Sequence, residues 1–310
     1  MATEDNGNRA TLVDNVALRQ AVAAFAAQPN QRGALEVLRL CMFGEVLFDI
    51  TGSDALTGQT PFAAGSHLQI RGGTGPHGKG SALFAYTRHE EIARLHPPGT
   101  RTQSLVQSAT GALELAQSQG NDWLYIDPAG PTCALSAAEI DFALRNPNNE
   151  PLKRVLADHA AGKIDRHTVV DVVRQNGPLA IAADDSQGDG HIAVRNTTHP
   201  DGSSSIFGFT SGPEVLAWSP ADAAGLLTVE QVVNMARAQG HSGIVINPAG
   251  PYLWVSLAEI TQKNEERQHL SRAENPAQGC CCETIAHINR AGACLSGAGR
   301  SAPACDRSAR

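Results

Sequence analysis

The chain repeats itself. Asp127 to Ile140 reads DPAGPTCALSAAEI and Asn247 to Ile260 reads NPAGPYLWVSLAEI, identical at eight of fourteen positions with an offset of 120. A segment duplicated in this way must fold as one unit twice, so any architecture proposed for one copy has to serve both. The same offset sets Ala116, Gln119 and Gly120 against Ala236, Gln239 and Gly240. Further upstream, FAYTRHEEIARL from Phe84 pairs with FGFTSGPEVLAW from Phe207, HLQIR from His67 with HIAVR from His191, and GEVLF from Gly44 with GPLAI from Gly177.

Apolar periodicity within each copy predicts a helix (about 15–27; 150–160), a second short helix, a strand (45–50; 178–183) and a turn-rich loop. A hairpin follows (66–71 with 82–86; 191–195 with 205–209), then a helical pair (88–95 and 103–118; 212–217 and 227–238), a second hairpin (123–127 with 132–136; 243–247 with 252–256) and a closing helix. Strands that follow one another across polar turns indicate an α+β fold, a mostly antiparallel sheet with packed helices, rather than a doubly wound parallel sheet. The stretch RNPNNEP at 145–151 marks the boundary, giving modules at 15–147 and 148–265 between a disordered N-terminus (1–14) and a disordered tail (266–310). With 310 residues, 42% of them hydrophobic, each module can build its own core.

Charge excludes one class of partner. Lys and Arg number 24 against 31 Asp and Glu, for a net charge of -7, and no basic footprint for nucleic acid is present. No run approaches the ~20 apolar residues of a membrane span, and the opening residues carry acids and amides where a signal peptide has a basic start and an apolar run. No membrane partner is expected, and the protein is expected to be cytoplasmic. Of seven cysteines, Cys41 and Cys133 stand alone in apolar segments and the other five, from Cys280 to Cys305, follow the repeats. That distribution is not a disulfide framework.

The repeated polar residues obey local folding rules. In [DN]-P-A-G-P, Asp127 or Asn247 caps a turn, Pro128 or Pro248 presets φ, and Gly130 or Gly250 closes it. Ser136 with Glu139 and Ser256 with Glu259 have capping-box spacing, as do Thr87 with Glu90 and Ser211 with Glu214.

Motifs for chemistry fail on inspection. GTGPHGK at 73–79 fits a phosphate-loop frame, but Gly80 stands where Ser or Thr should hold magnesium, a strand rather than a helix follows, and the second copy has no such frame. Cys280, Cys281 and Cys282 lack the C-x-x-C spacing that directs two sulfurs at one metal, so no metal is expected. No nucleophile elbow, H-E-x-x-H or recurring Cys–His pair is present. His67 and His191 recur, but at strand starts, where a structural hydrogen bond accounts for them. The acidic loops at 49–54 and 183–190 lack calcium-loop alternation. No enzymatic activity and no cofactor are expected.

Phe209, Thr210, Ser211 and Glu214 opening a helix, and Ile246, Asn247, Pro248 and Gly250 after a helix, are the residues by which the chain resembles the SseB N-terminal domain, a bacterial family. The first copy departs from this pattern with Tyr86, Thr87, Arg88 and Asp127. The resemblance spans about 15–145 and 150–262. It implies no catalytic residues; the family labels refer to enhanced serine sensitivity and to secretion. The expected function is a non-enzymatic binding or adaptor role, with two modules packed as a pseudo-symmetric pair that mimics a homodimer and presents loops or a sheet edge to a protein partner. The alternative is a sensor for a small, amino-acid-type ligand held by Thr210, Ser211 and Asn247.

Overall fold

Each module begins with a capped amphipathic helix. In the computed structural model, which describes residues 13–54, 67–184 and 193–262, Asn15 caps α1 (Val16–Ala27) by accepting from the Leu18 amide, and Asn149 caps α6 (Glu150–Ala160) by accepting from Leu152. Leu18 and Val22 in the first, and Leu152 and Leu156 in the second, lie one turn apart and are buried. Residues 1–12 and 266–310 of the expected disordered termini, His191, residues 185–190 of the acidic loop and the five tail cysteines lie outside the described residues; Asp14, expected to be disordered, forms an antiparallel bridge with Arg88 and pairs with Arg19.

The first module continues with α2 (Gln31–Leu40), β1 (Glu45–Asp49), β2 (Gly72–Thr74), β3 (Ser81–Ala85), α3 (His89–Ala93), β4 (Ser104–Ser108), α4 (Ala109–Ser118), β5 (Trp123–Ile126), β6 (Cys133–Ser136) and α5 (Ala137–Arg145). The second repeats the order with α7 (Arg166–Val173), β7 (Pro178–Asp184), β8 (Ala193–Val194), β9 (Asn196–Thr198), β10 (Ser204–Gly208), α8 (Gly212–Trp218), β11 (Ala223–Thr228), α9 (Val229–Ala238), β12 (Gly243–Ile246) and β13 (Leu253–Ser256). Helical residues 257–262 follow. The fold is α+β with mostly antiparallel strands, as expected; the exceptions are β3 with β5 and β10 with β12, which run parallel. Each parallel pair is joined by a crossover that includes a helix, α4 or α9. Leu83, Leu124 and Leu135 lie side by side across β3, β5 and β6, and Ile206, Ile244 and Val255 across β10, β12 and β13. All six are buried in the cores of their modules.

Three expectations need correction. The predicted helix at 103–118 begins as a strand: β4 pairs antiparallel with β1, and Ser108 then caps α4 by accepting from Gly111. In the second module the helix predicted at 227–238 loses only its first two residues to β11, and Thr228 caps α9. The alternating Leu105 and Val106, which sit well on a pleated strand, win over helical periodicity at β4. Next, β3 pairs not with 66–71 but with β2, Gly72 opposite Leu83. Glycine permits this approach, because a Cβ on Gly72 would lie 2.5 Å from the Ala82 carbonyl oxygen. The GTGPHGK segment forms the β2–β3 turn, with the Gly75 amide donating to Gly80. Finally, the modules do not meet through equivalent surfaces. α8 of the second packs on α2 and α5 of the first, and nothing comparable joins α3 to α7. The contact is heterologous, not that of a two-fold pair.

Candidate functional site

The polar residues singled out by the repeat converge where the helix after β3 or β10 meets the turn after β5 or β12. In the second module, the Thr210 amide donates to Asn247 Oδ1 at 2.9 Å, and Asn247 Nδ2 donates to the Thr210 hydroxyl at 3.0 Å. In the first, the Thr87 amide donates to Asp127 Oδ1 at 2.8 Å and its hydroxyl to Oδ2 at 2.7 Å. Asp127 and Asn247 both take a left-handed backbone, φ 54° and 50°, which short polar side chains tolerate. Burial pushes the Asp127 carboxyl up from its ordinary 3.8 to about 6, against the hydrogen bonds from Thr87 that oppose it. Thr210, Ser211 and Asn247 are thus brought together, but all three are buried. Thr210 and Asn247 spend their polar groups on each other, and the Ser211 hydroxyl is enclosed with no hydrogen-bond partner.

Of the four expected capping boxes, two close: Ser136 with Glu139 and Ser256 with Glu259. Thr87 and Glu90 do not form one, because Arg88 occupies the cap position of α3 and the Thr87 hydroxyl is held by Asp127. Ser211 caps α8 by position only, with no side-chain hydrogen bond, because Glu214 is drawn elsewhere.

Glu214 is completely buried at the junction of the modules. Its carboxylate takes the Lys153 ammonium at 2.8 Å and Arg39 Nη1 at 3.3 Å. Lys153 lies on α6 of the same module; Arg39 comes from α2 of the other. Arg39 Nη1 also donates to the Gly250 carbonyl at 2.8 Å, and Lys153 Nζ to the Arg39 carbonyl at 3.0 Å. Glu36 accepts the rest of the guanidinium. Burial lowers the Lys153 pKa below its ordinary value, even with Glu214 and its hydrogen bond working the other way. Two carboxylates and two cations compensate one another, the condition for keeping such groups out of water.

The first module has the same notch, differently filled. Glu91 aligns with Glu214 and Gly130 with Gly250. Here Arg88 at 2.8 Å and Arg94 at 2.5 Å, both from the same segment as Glu91, hold the carboxylate. Arg94 lies against Gly130, where an added Cβ would be 3.0 Å from its Nη1. The residue aligned with Arg94 in the second module is Ala217, and there Arg39 of the first module holds the glutamate.

Beside the junction a cleft of about 590 Å³ is lined by Ala21, Phe25, Arg32, Glu36, Trp218 and Pro248, among others. The first module holds a second buried polar cluster: Asp49 meets His96 Nε2 at 2.7 Å and Arg71 at 3.8 Å, and the buried Tyr86 hydroxyl has no hydrogen-bond partner. Arg195, which aligns with Arg71, holds Asp222 instead. Among the described residues no group of three or more His, Cys, Asp or Glu is placed to hold a metal ion, and no helix is long and apolar enough to cross a membrane.

Sequence reasoning missed Arg39, Lys153, Glu91 and Glu214 as a set. The alignment of Glu91 with Glu214 was a usable signal, and so was Lys153 beside Leu152 on the apolar stripe of a helix; the pairing across modules left no local trace.

The SseB protein N-terminal domain family matches the chain twice, over residues 18–141 and 152–260. No curated protein and no solved structure matches it.

Proposed function

The chain belongs to the family of the SseB protein N-terminal domain, in two consecutive copies, and from that premise we propose that it is a non-enzymatic binding or adaptor protein that engages a protein partner in the cytoplasm. The observation that carries this reading is a repeated edge strand with no second strand partner among the described residues. β4 pairs only with β1 and β11 only with β7 among the described residues. On these two edges the aligned residues Val106 and Leu226 are 50% and 38% exposed. An edge strand offers unpaired backbone donors and acceptors with an apolar side chain between them, the elements that bind an added strand. The absence of a catalytic role is supported by the fate of the repeated polar residues, which are consumed by one another inside the fold.

Affinity capture with the full chain, compared with a Val106→Asp/Leu226→Asp variant, tests the proposal. A partner retained by the native chain and lost from an equally stable variant supports it. An identical captured set from both rules out these edges.

The cleft favours a second reading, a sensor for a small amino-acid-type ligand. It lies against Pro248, next to Asn247, and Phe25 and Trp218 offer apolar walls. Under this reading Thr210, Ser211 and Asn247 shape the cleft wall from behind. A saturable rise in melting temperature with one amino acid, lost on filling the cleft by Ala217→Trp, would put it ahead of the adaptor reading.

A further inference from the structure

The contact between the modules has two halves, and the chain carries a spare of each. One half is the notch formed by a helix glutamate and the glycine of the following turn: Glu214 with Gly250 in use, Glu91 with Gly130 spare. The other half is a helix bearing an acid and, three residues later, an arginine. In α2, capped by Asn30, these are Glu36 and Arg39. At α7, capped by Asp165, they are Asp171 and the C-cap residue Arg174, paired at 2.8 Å. Counted from the two caps the positions coincide, six and nine residues on in both helices.

We propose that the spare halves join one copy of this chain to another, with α7 of one molecule seating Arg174 in the Glu91–Gly130 notch of the next. The surface repeats the pairing already used at the junction inside the chain, and its charges match: a buried carboxylate that takes guanidinium groups faces a helix whose end carries one. Both spare halves are occupied internally in the single chain. Arg94, 48% exposed in its side chain, holds Glu91, and Arg174 donates through Nε and Nη2 to the Glu259 carbonyl at 3.0 and 2.6 Å. Association therefore exchanges one guanidinium for another at Glu91, releases Arg94 to solvent, and draws Arg174, 14% exposed in its side chain, away from the Glu259 carbonyl. Arg94 acts as the internal competitor, so the native chain associates weakly. A heterologous contact of this kind does not close at two subunits and gives a ladder of sizes.

Sedimentation velocity of the full chain over a wide concentration range tests this. The expected result is weak, concentration-dependent association of the native protein into species beyond the dimer. Arg94→Ala, which gives the first module the residue found at Ala217, should tighten it by up to about fivefold, the equivalent of one lost competing ion pair. Adding Arg174→Ala or Glu91→Gln to Arg94→Ala should return the protein to monomer, and a folded variant on either side suffices. A chain that stays monomeric with Arg94→Ala at every concentration overturns the proposal, as does assembly that survives both second substitutions. These outcomes are separate from capture at the β4 and β11 edges, which involves other residues.

Discussion

The amide and hydroxyl of Thr87 both point at the carboxylate of Asp127, 2.8 and 2.7 Å away, and the second module makes the same clasp with Thr210 and a neutral Asn247. One module thus holds a buried charge where its twin holds an amide. Folding raises the Asp127 pKa to about 6, so the folded chain binds a proton that the unfolded chain releases near its ordinary value. Between those limits the native state carries more protons, and stability falls as pH rises. The cost at neutral pH is on the order of 2–3 kcal/mol. Asp127→Asn should remove that dependence and stabilise the protein at pH 7; thermal melts of both forms from pH 4.5 to 7.5 check it. Parallel curves would refute the assignment.

At the junction, Glu214→Gln leaves Lys153 and Arg39 beside each other without their shared carboxylate, and the expected loss is about 3–5 kcal/mol. The aligned change Glu91→Gln should cost only about 1 kcal/mol, because Arg88 and Arg94 reach solvent. Urea denaturation of the two variants should separate them clearly. Equal losses would mean that Glu214 is not an interface lock.

Tyr86 aligns with Phe209, and its hydroxyl is buried without a hydrogen-bond partner. Removing an unpaired hydroxyl from a core site costs nothing in hydrogen bonding and recovers its desolvation penalty. Tyr86→Phe is expected to stabilise the chain by about 1 kcal/mol. A fall in denaturation midpoint of that size would show that the hydroxyl is bonded in solution.

Cys41 and Cys133 are free and buried. Burial pushes the Cys133 thiol up to about 12 and the Cys41 thiol higher still, so neither forms thiolate near neutral pH. In native protein treated with iodoacetamide at pH 8, mass spectrometry should find both unmodified, and both alkylated once urea unfolds the chain. Fast labelling of either in the native state would contradict its burial.

What the sequence determined by itself was everything carried by neighbours in the chain. The duplication, the helix caps at Ser136 and Ser256, the tight turns after β5 and β12 and the α+β class all follow from spacing, turn chemistry and apolar alternation. Tertiary structure decided the rest. Leu105 and Val106 are in a strand because β1 lies beside them, a partner some sixty residues away in the chain. Thr210 and Asn247 look like ligand groups in a linear reading, but the fold closes them on each other. Glu214 resembles a helix-capping acid until Arg39, 175 residues away, takes it. Whether a polar side chain serves its own turn, a distant charge or a partner depends on what else is buried with it, because desolvation has to be compensated by whichever group the fold brings within reach.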